Sequence, residues 1–345
     1  MPARVTTRQA TRSSFLLAAL LFFAAAIVSP GAHAQSQSPL PAVPPPPPGL
    51  NPQQNTQSEH TIKASVAMVV LHATVADEKG QFVPGLAASD FHVSEDKIPQ
   101  QISVFSRDDI PVTMGLVIDN SASMREKRAQ VNAAAMTFVK TSNPQDEDFV
   151  VNFNDESYLD INEDFTSDTQ ELNEALSRID TRGSTALYDA IVSSLDHLKK
   201  GHKDKRVLLV ITDGDDDASR LSFEETIKAA EQSSAAIYAI GVFSQEDRKT
   251  DKKMVRHSKK TLTELAEATG GLAFFPDNLD QVEPICVQVA RDIRNQYTIG
   301  YYPTNTAHDG TFRSIQLGVT AHRGMGKLSV RTRAGYFAPK AGSTQ

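Results

Sequence analysis

The chain is expected to fold as an α/β protein, a doubly wound and mostly parallel sheet inserted in or flanked by a small β-sandwich. Two observations lead there. Between Val112 and Ile293, short apolar runs alternate with amphipathic segments, and the runs lack polar alternation, as parallel strands covered on both faces do. Strand-like stretches also stand before and after this region. Late strands without crossover helices cannot easily extend a parallel sheet, so they should pair with the early ones.

Residues 1–34 read as an export signal. Arg4, Arg8 and Arg12 precede an apolar stretch from Phe15 to Val28, and Ala32-His33-Ala34 supplies the small residues a signal peptidase requires. The stretch holds 14 residues, short of the roughly 20 that span a bilayer. Cleavage after Ala34 would leave an extracytoplasmic chain, periplasmic or secreted, with no stable membrane span. A retained anchor is the alternative.

Loss of the three arginines takes the formal charge from −7 to −10. A moderately acidic charge disfavours a nucleic-acid binder, which would need a basic face. The single cysteine, Cys286, excludes an intrachain disulfide. Its neighbours Val282, Ile285, Val289 and Ile293 recur at helical spacing, so it is expected to be a small buried apolar residue.

Residues 35–58 are rich in Pro, Gln and Ser, with Pro44 to Pro48 unbroken, and are expected to be an extended tether. Residues 59–109 form an N-terminal β unit. Ile62, Ala64, Val66, Met68 and Val70 would share one strand face, Asp77-Glu78-Lys79-Gly80 a turn, and Phe91–Val93 and Ile102–Phe105 short strands.

Residues 110–296 carry the α/β pattern. Strands are expected at Thr113–Ile118, Asp148–Phe153, Arg206–Thr212, Ala236–Val242 and Leu272–Phe275. Helices are expected at Arg125–Lys140, Thr169–Ile179, Ala186–Lys199, Phe223–Gln232, Leu262–Ala268 and Gln281–Arg294. Residues 297–338 return to β character at Tyr297–Tyr302, Ser314–Val319 and Leu328–Val330, and 339–345 are a tail. These late strands should pair with the N-terminal β unit; two separate β appendages are the alternative.

The most informative motif is Asp119-Asn120-Ser121-Ala122-Ser123, at the end of the apolar run Met114–Ile118. In a doubly wound sheet, ligands collect beyond the carboxyl ends of strands where the strand order reverses. Thr185, before one helix, and Asp213, after the Arg206–Thr212 strand, would empty into the same crevice. Carboxylates and hydroxyls with no His or Cys suit Mg²⁺ first, with Mn²⁺ or Ca²⁺ as alternatives, and not zinc or copper. Each of these residues taken singly is also an ordinary turn or helix-cap type.

Asp119, Ser121, Ser123, Thr185 and Asp213 together resemble the metal-ion-dependent adhesion site of von Willebrand factor type A (VWA) domains. Ser184–Ala190 and the Thr212-Asp213-Gly214 turn are similar as well, and the resemblance covers Ile110 to Gln296. The flanks, Asp77–Leu86 with Asp90-Phe91 and then Tyr297–Tyr302, are similar to secreted bacterial VWA-related proteins of acidobacterial type. The resemblance implies that Ser121, Ser123 and Thr185 ligate the metal directly, and Asp119 and Asp213 largely through water. An acidic group of a protein or polysaccharide partner would take an open position.

Two other readings compete locally. Asp213 to Glu224 nearly matches a calcium-binding EF-hand loop, but Ala218 stands where Gly makes the turn, Arg220 follows, and a β run precedes it. Asp215–Asp217 are instead expected to cap the following helix or to add negative potential. The basic run Arg248–Lys260 is expected to be a solvated loop on the rim of the site, where it could attract an acidic partner.

The function expected is a metal-dependent binding or adhesion module outside the cytoplasm, not an enzyme. The alternatives are a metal-assisted hydrolase and a structural part of an envelope assembly with an empty metal site. No His falls in the proposed loops and no G-x-S-x-G or P-loop is present, which disfavours hydrolysis.

Overall fold

The computed structural model describes residues 67–178 and 180–340. The expected export signal 1–34, the expected tether 35–58, the first residues of the β unit and the last five of the expected tail lie outside the described residues. Among the described residues, no helix is long and apolar enough to cross a membrane.

The early strands are β1 (Val69–Ala76), β2 (Phe91–Glu95), β3 (Ile98–Gln100) and β4 (Ile102–Ser106). The α/β region follows with β5 (Val112–Asp119), α1 (Arg128–Thr141), β6 (Glu147–Phe153), β7 (Ser157–Leu159), α2 (Thr169–Leu176), α3 (Leu187–Leu198) and β8 (Lys205–Thr212). It continues through α4 (Phe223–Ser233), β9 (Ala236–Gly241), α5 (Gln245–Thr250), α6 (Lys252–Thr269), β10 (Ala273–Phe274) and α7 (Val282–Arg294). The late strands are β11 (Tyr297–Tyr301), β12 (Phe312–Val319), β13 (Ser329–Arg331) and β14 (Gly335–Phe337).

The central sheet has the order β10-β9-β8-β5-β6-β7 and is parallel except for the edge strand β7, which runs antiparallel to β6. All eight positions of β5 are buried, as a middle strand covered on both faces requires. Helix α1 packs against α2 and α7, while α4 packs against α3 and α6. The chain leaves β5 toward β6 on one side and returns to β8 on the other, so the strand order reverses between β5 and β8. This is the α/β class expected from the run-and-helix pattern.

Two four-stranded antiparallel sheets stand beside it, ordered β13-β1-β11-β4 and β14-β12-β2-β3. Each mixes strands from before and after the α/β region: β1 and β4 flank β11, and β2 pairs with β12. Their facing sides share one apolar core, with Leu71, Tyr297 and Ile299 from the first and Phe91, Val93 and Ile315 from the second. The Phe91 and Tyr297 rings meet at 5.1 Å, a separation suited to tilted aromatic pairs. Tyr301 closes the interior by donating to the Glu95 carboxylate at 2.9 Å.

Three local expectations are corrected. The buried face of β1 is Val69, Leu71, Ala73 and Val75, and Met68 is 37% exposed; the alternation counted from upstream is one residue out of phase, which exchanges the two faces. The basic run from Arg248 is helical, not a loop. Val255, Leu262 and Leu265 of α6 face the core while its lysines project outward, the amphipathic arrangement of a surface helix. Asp215–Asp217 do not cap α4: Ser222 does so, in a reciprocal capping box with Glu225.

Candidate functional site

Asp119 is the last residue of β5, and Thr212, the last of β8, stands just before Asp213. Because β5 and β8 are parallel neighbours, both ends open on the same rim. Thr212 Oγ1 donates to Asp119 Oδ2 at 2.6 Å, and the Ser121 amide donates to Asp119 Oδ1 at 2.8 Å. The Ser121 and Ser123 hydroxyls are 3.1 Å apart, and Ser123 Oγ donates to Asp213 Oδ1 at 2.8 Å. Four of the five residues singled out in the sequence are thus joined in one hydrogen-bonded chain, through the Ser121 amide at its first link and through hydroxyls beyond it.

Thr185 is brought to the same place without a hydrogen bond to those four. Its hydroxyl lies 3.5 Å from where a Cβ would stand on Gly214. The Ala122 amide donates to the Gly183 carbonyl at 3.2 Å and the Arg182 amide to the Asn120 carbonyl at 3.2 Å, tying the two loops together. Gly183 takes φ +72°, and a Cβ there would collide with the Asp155 carboxylate. That carboxylate accepts the Ser184 amide at 2.7 Å. Asp217 accepts the Thr185 amide at 2.7 Å and Asp216 the Tyr188 amide at 3.2 Å, so the acidic run anchors the start of α3.

The electrostatics are those of a site short of positive charge. Asp119, Ser121, Thr185 and Asp213 are buried, while Ser123 is exposed and forms the mouth. Burial, reinforced by the neighbouring Asp213 charge, pushes the Asp119 carboxyl up to about 6, against the pull of its bonds from Thr212 and Ser121. One cation is supplied from within: the Lys127 ammonium rests on Asp213 Oδ2 and lies 3.7 Å from the Asp247 carboxylate. Behind the first loop, the fully buried Arg128 donates to Asn120 Oδ1 at 3.3 Å and Asn132 Oδ1 at 2.6 Å, and also to Asn152.

Lys127, Arg128 and Asp155 were not singled out in the sequence, and Asp217 was read there as a cap of the following helix or a source of negative potential. Their types carry no distinctive spacing, and only the folded loops bring them to the rim. Outside the mouth, a cleft of about 690 Å³ runs between Ser123, Lys127 and the α5 residues Gln245 and Asp247, with Phe243 and Asn278 beyond.

Hydroxyl and carboxylate oxygens converge here, and a lysine ammonium already takes the place of a cation on one of them. This donor set fits a hard divalent ion. Among the described residues, no group of three or more His, Cys, Asp or Glu could hold a metal alone, so any site on this rim depends on its hydroxyls.

Residues 114–215 match the family model of the von Willebrand factor type A domain. The inserted layer thus has a VWA-like α/β fold, flanked by antiparallel sheets. No curated protein matches the chain significantly. Similar solved structures include a von Willebrand factor type A protein from Catenulispora acidiphila, 10% identical, covering 81% of this chain and 74% of its own, TM-score 0.47. BatB from Bacteroides thetaiotaomicron is 17% identical over 53% of this chain and 98% of its own, TM-score 0.41. Proximal thread matrix protein 1 of the mussel byssus, with a zinc-occupied MIDAS motif, is 17% identical over 58% of this chain and 49% of its own, TM-score 0.46.

Proposed function

We propose that residues 110–296 are a metal-dependent binding domain that holds one divalent cation, Mg²⁺ first among the candidates, and accepts an acidic group from a partner. Ser121, Ser123 and Thr185 would hold the ion directly, and Asp119 and Asp213 largely through water. The observation that carries this reading is the continuous hydrogen-bonded chain from Asp119 through the Ser121 amide, then the Ser121 and Ser123 hydroxyls, to Asp213, at the ends of two adjacent strands. A bound divalent ion would relieve two neighbouring carboxylates of which one is fully buried. The exposed Ser123 gives a partner its approach, and the cleft beside it gives that partner a surface.

The mixed strand pairing supports a sandwich of residues 59–109 and 297–338 that carries the binding domain. The basic N-terminus, apolar run and Ala-x-Ala sequence support export and action outside the cytoplasm, on a protein or polysaccharide bearing carboxylates. The module binds and does not turn over. Recovery of bound partners from envelope extracts, with and without chelator and with Asp119→Ala beside wild type, tests this. Partners lost both on chelation and in the variant are expected. Partners retained in both would show that the cation is not used.

A further inference from the structure

A second, smaller cavity lies where the sandwich meets the α/β layer, far from the first site. Lys205 opens β8 and Thr212 ends it, so at about 3.3 Å per residue the two places are ~23 Å apart. The cavity measures about 30 Å³ and is lined by His72, Lys205, Arg206, Gln296, Thr332 and Arg333 among others, with no carboxylate in its walls.

The cations around it are not compensated. Lys205 is 5% exposed and its ammonium meets only the Ile293 carbonyl. Arg333 donates to Ser234 Oγ at 2.8 Å and the Val70 carbonyl at 3.1 Å and lies over the Tyr336 ring, all neutral groups. None of Lys205, Arg206 and Arg333 joins any ion pair among the described residues. The carboxylates whose field reaches Lys205 are engaged elsewhere: Asp292 with Arg331 at 3.0 Å, and Asp109 at 3.1 Å and Asp146 with Arg294.

The polar accounting has the same gap. Arg206 Nε, Arg333 Nε and Thr332 Oγ1 are buried donors without a partner, and Gln296 Oε1 is a buried acceptor without one. Leaving such a group unpaired opposes folding, and a buried charge with no counter-charge opposes it more strongly. His72 adds no charge, because burial and then the Lys205 and Arg333 cations push it down to about 3. A water would meet the donors but not the charge. At about 30 Å³ the space is nearer one water-sized occupant than a tetrahedral oxyanion.

We propose that this cavity binds a single monoatomic anion of the chloride class, held by Lys205, Arg206 and Arg333, which neutralises the seam between sandwich and α/β layer. The test is thermal unfolding of the full chain in sodium chloride against sodium gluconate at matched ionic strength and pH, since gluconate is too large to enter. The midpoint should rise saturably with chloride, by a few degrees, and bromide should reproduce the rise. Arg333→Gln and Arg206→Gln should each lose the chloride-dependent part while keeping a cooperative transition in gluconate. If one variant does not fold, the other decides. Equal midpoints in the two salts, or a chloride effect unchanged in a folded variant, would overturn the assignment. Crystals soaked in bromide should show its anomalous signal in the cavity, and water alone there would also overturn it.

Discussion

The Lys127 ammonium rests on the Asp213 carboxylate, so the candidate centre carries its own counter-charge on the side that faces the cleft. A divalent ion arriving there meets a competitor tethered to the same loop. Lys127→Met removes the competitor and leaves a buried carboxylate without its counter-charge. The metal-free variant should lose about 3 kcal/mol of stability, while its divalent affinity rises about tenfold, or 1.4 kcal/mol. Chemical denaturation with chelator and titration calorimetry with Mg²⁺ read the two effects separately. A loss of affinity would assign Lys127 to supporting the site and not to opposing the ion.

Gly183 is the backbone joint on which Thr185 depends. Its φ of +72° and the Asp155 carboxylate packed against it leave no place for a side chain. Gly183→Ala should cost about 1–3 kcal/mol and weaken metal binding through displacement of Thr185. An unchanged unfolding midpoint would show that the loop tolerates a different conformation.

Asp217 holds the Thr185 amide from an exposed position. Asp217→Ala should therefore lower stability by only about 1 kcal/mol yet reduce divalent affinity about tenfold, or 1.4 kcal/mol. Calorimetry on the folded variant distinguishes this from general destabilisation.

Lys205 makes stability depend on pH. Burial, then the Arg294 charge, lowers it from 10.5 to about 7 in the folded chain. Between those values the unfolded chain holds the proton and the folded chain releases it. Stability should therefore rise with pH across that window, by up to about 1.4 kcal/mol per unit. Below pH 7 both states are protonated and the full burial cost remains. Lys205→Met should flatten the slope when unfolding is followed in gluconate, where no small anion masks it. A wild-type slope of zero from pH 7 to 10 would contradict the assignment.

The fold class was legible because it rests on periodicity. Met114–Ile118 and Val207–Ile211 are unbroken apolar runs, and the helices between them have one apolar face. The phase of β1 was not legible: its alternation extends upstream, and only pairing with β11 decides which face is covered. Leu262–Ala268 was legible as helix, but the first part of α6 was hidden by its own lysines, which read as a loop although Val255 lies at helical spacing from Leu262. At the site, residue types and strand ends pointed to Asp119, Ser121, Ser123, Thr185 and Asp213. Lys127, Asp155 and Asp217 act through contacts between loops far apart in the chain, and their residue types are common at any surface.

The central claim is that oxygens from three loops form one divalent-ion site. Titration calorimetry with Mg²⁺, then with Mn²⁺, Ca²⁺ and Zn²⁺, on wild type, Ser121→Ala and Asp119→Ala tests it most directly. One saturable site per chain is expected in wild type, weakened in Ser121→Ala and lost in Asp119→Ala although both variants remain folded. Binding of equal strength in all three proteins, or none in wild type with any of the four ions, would contradict it.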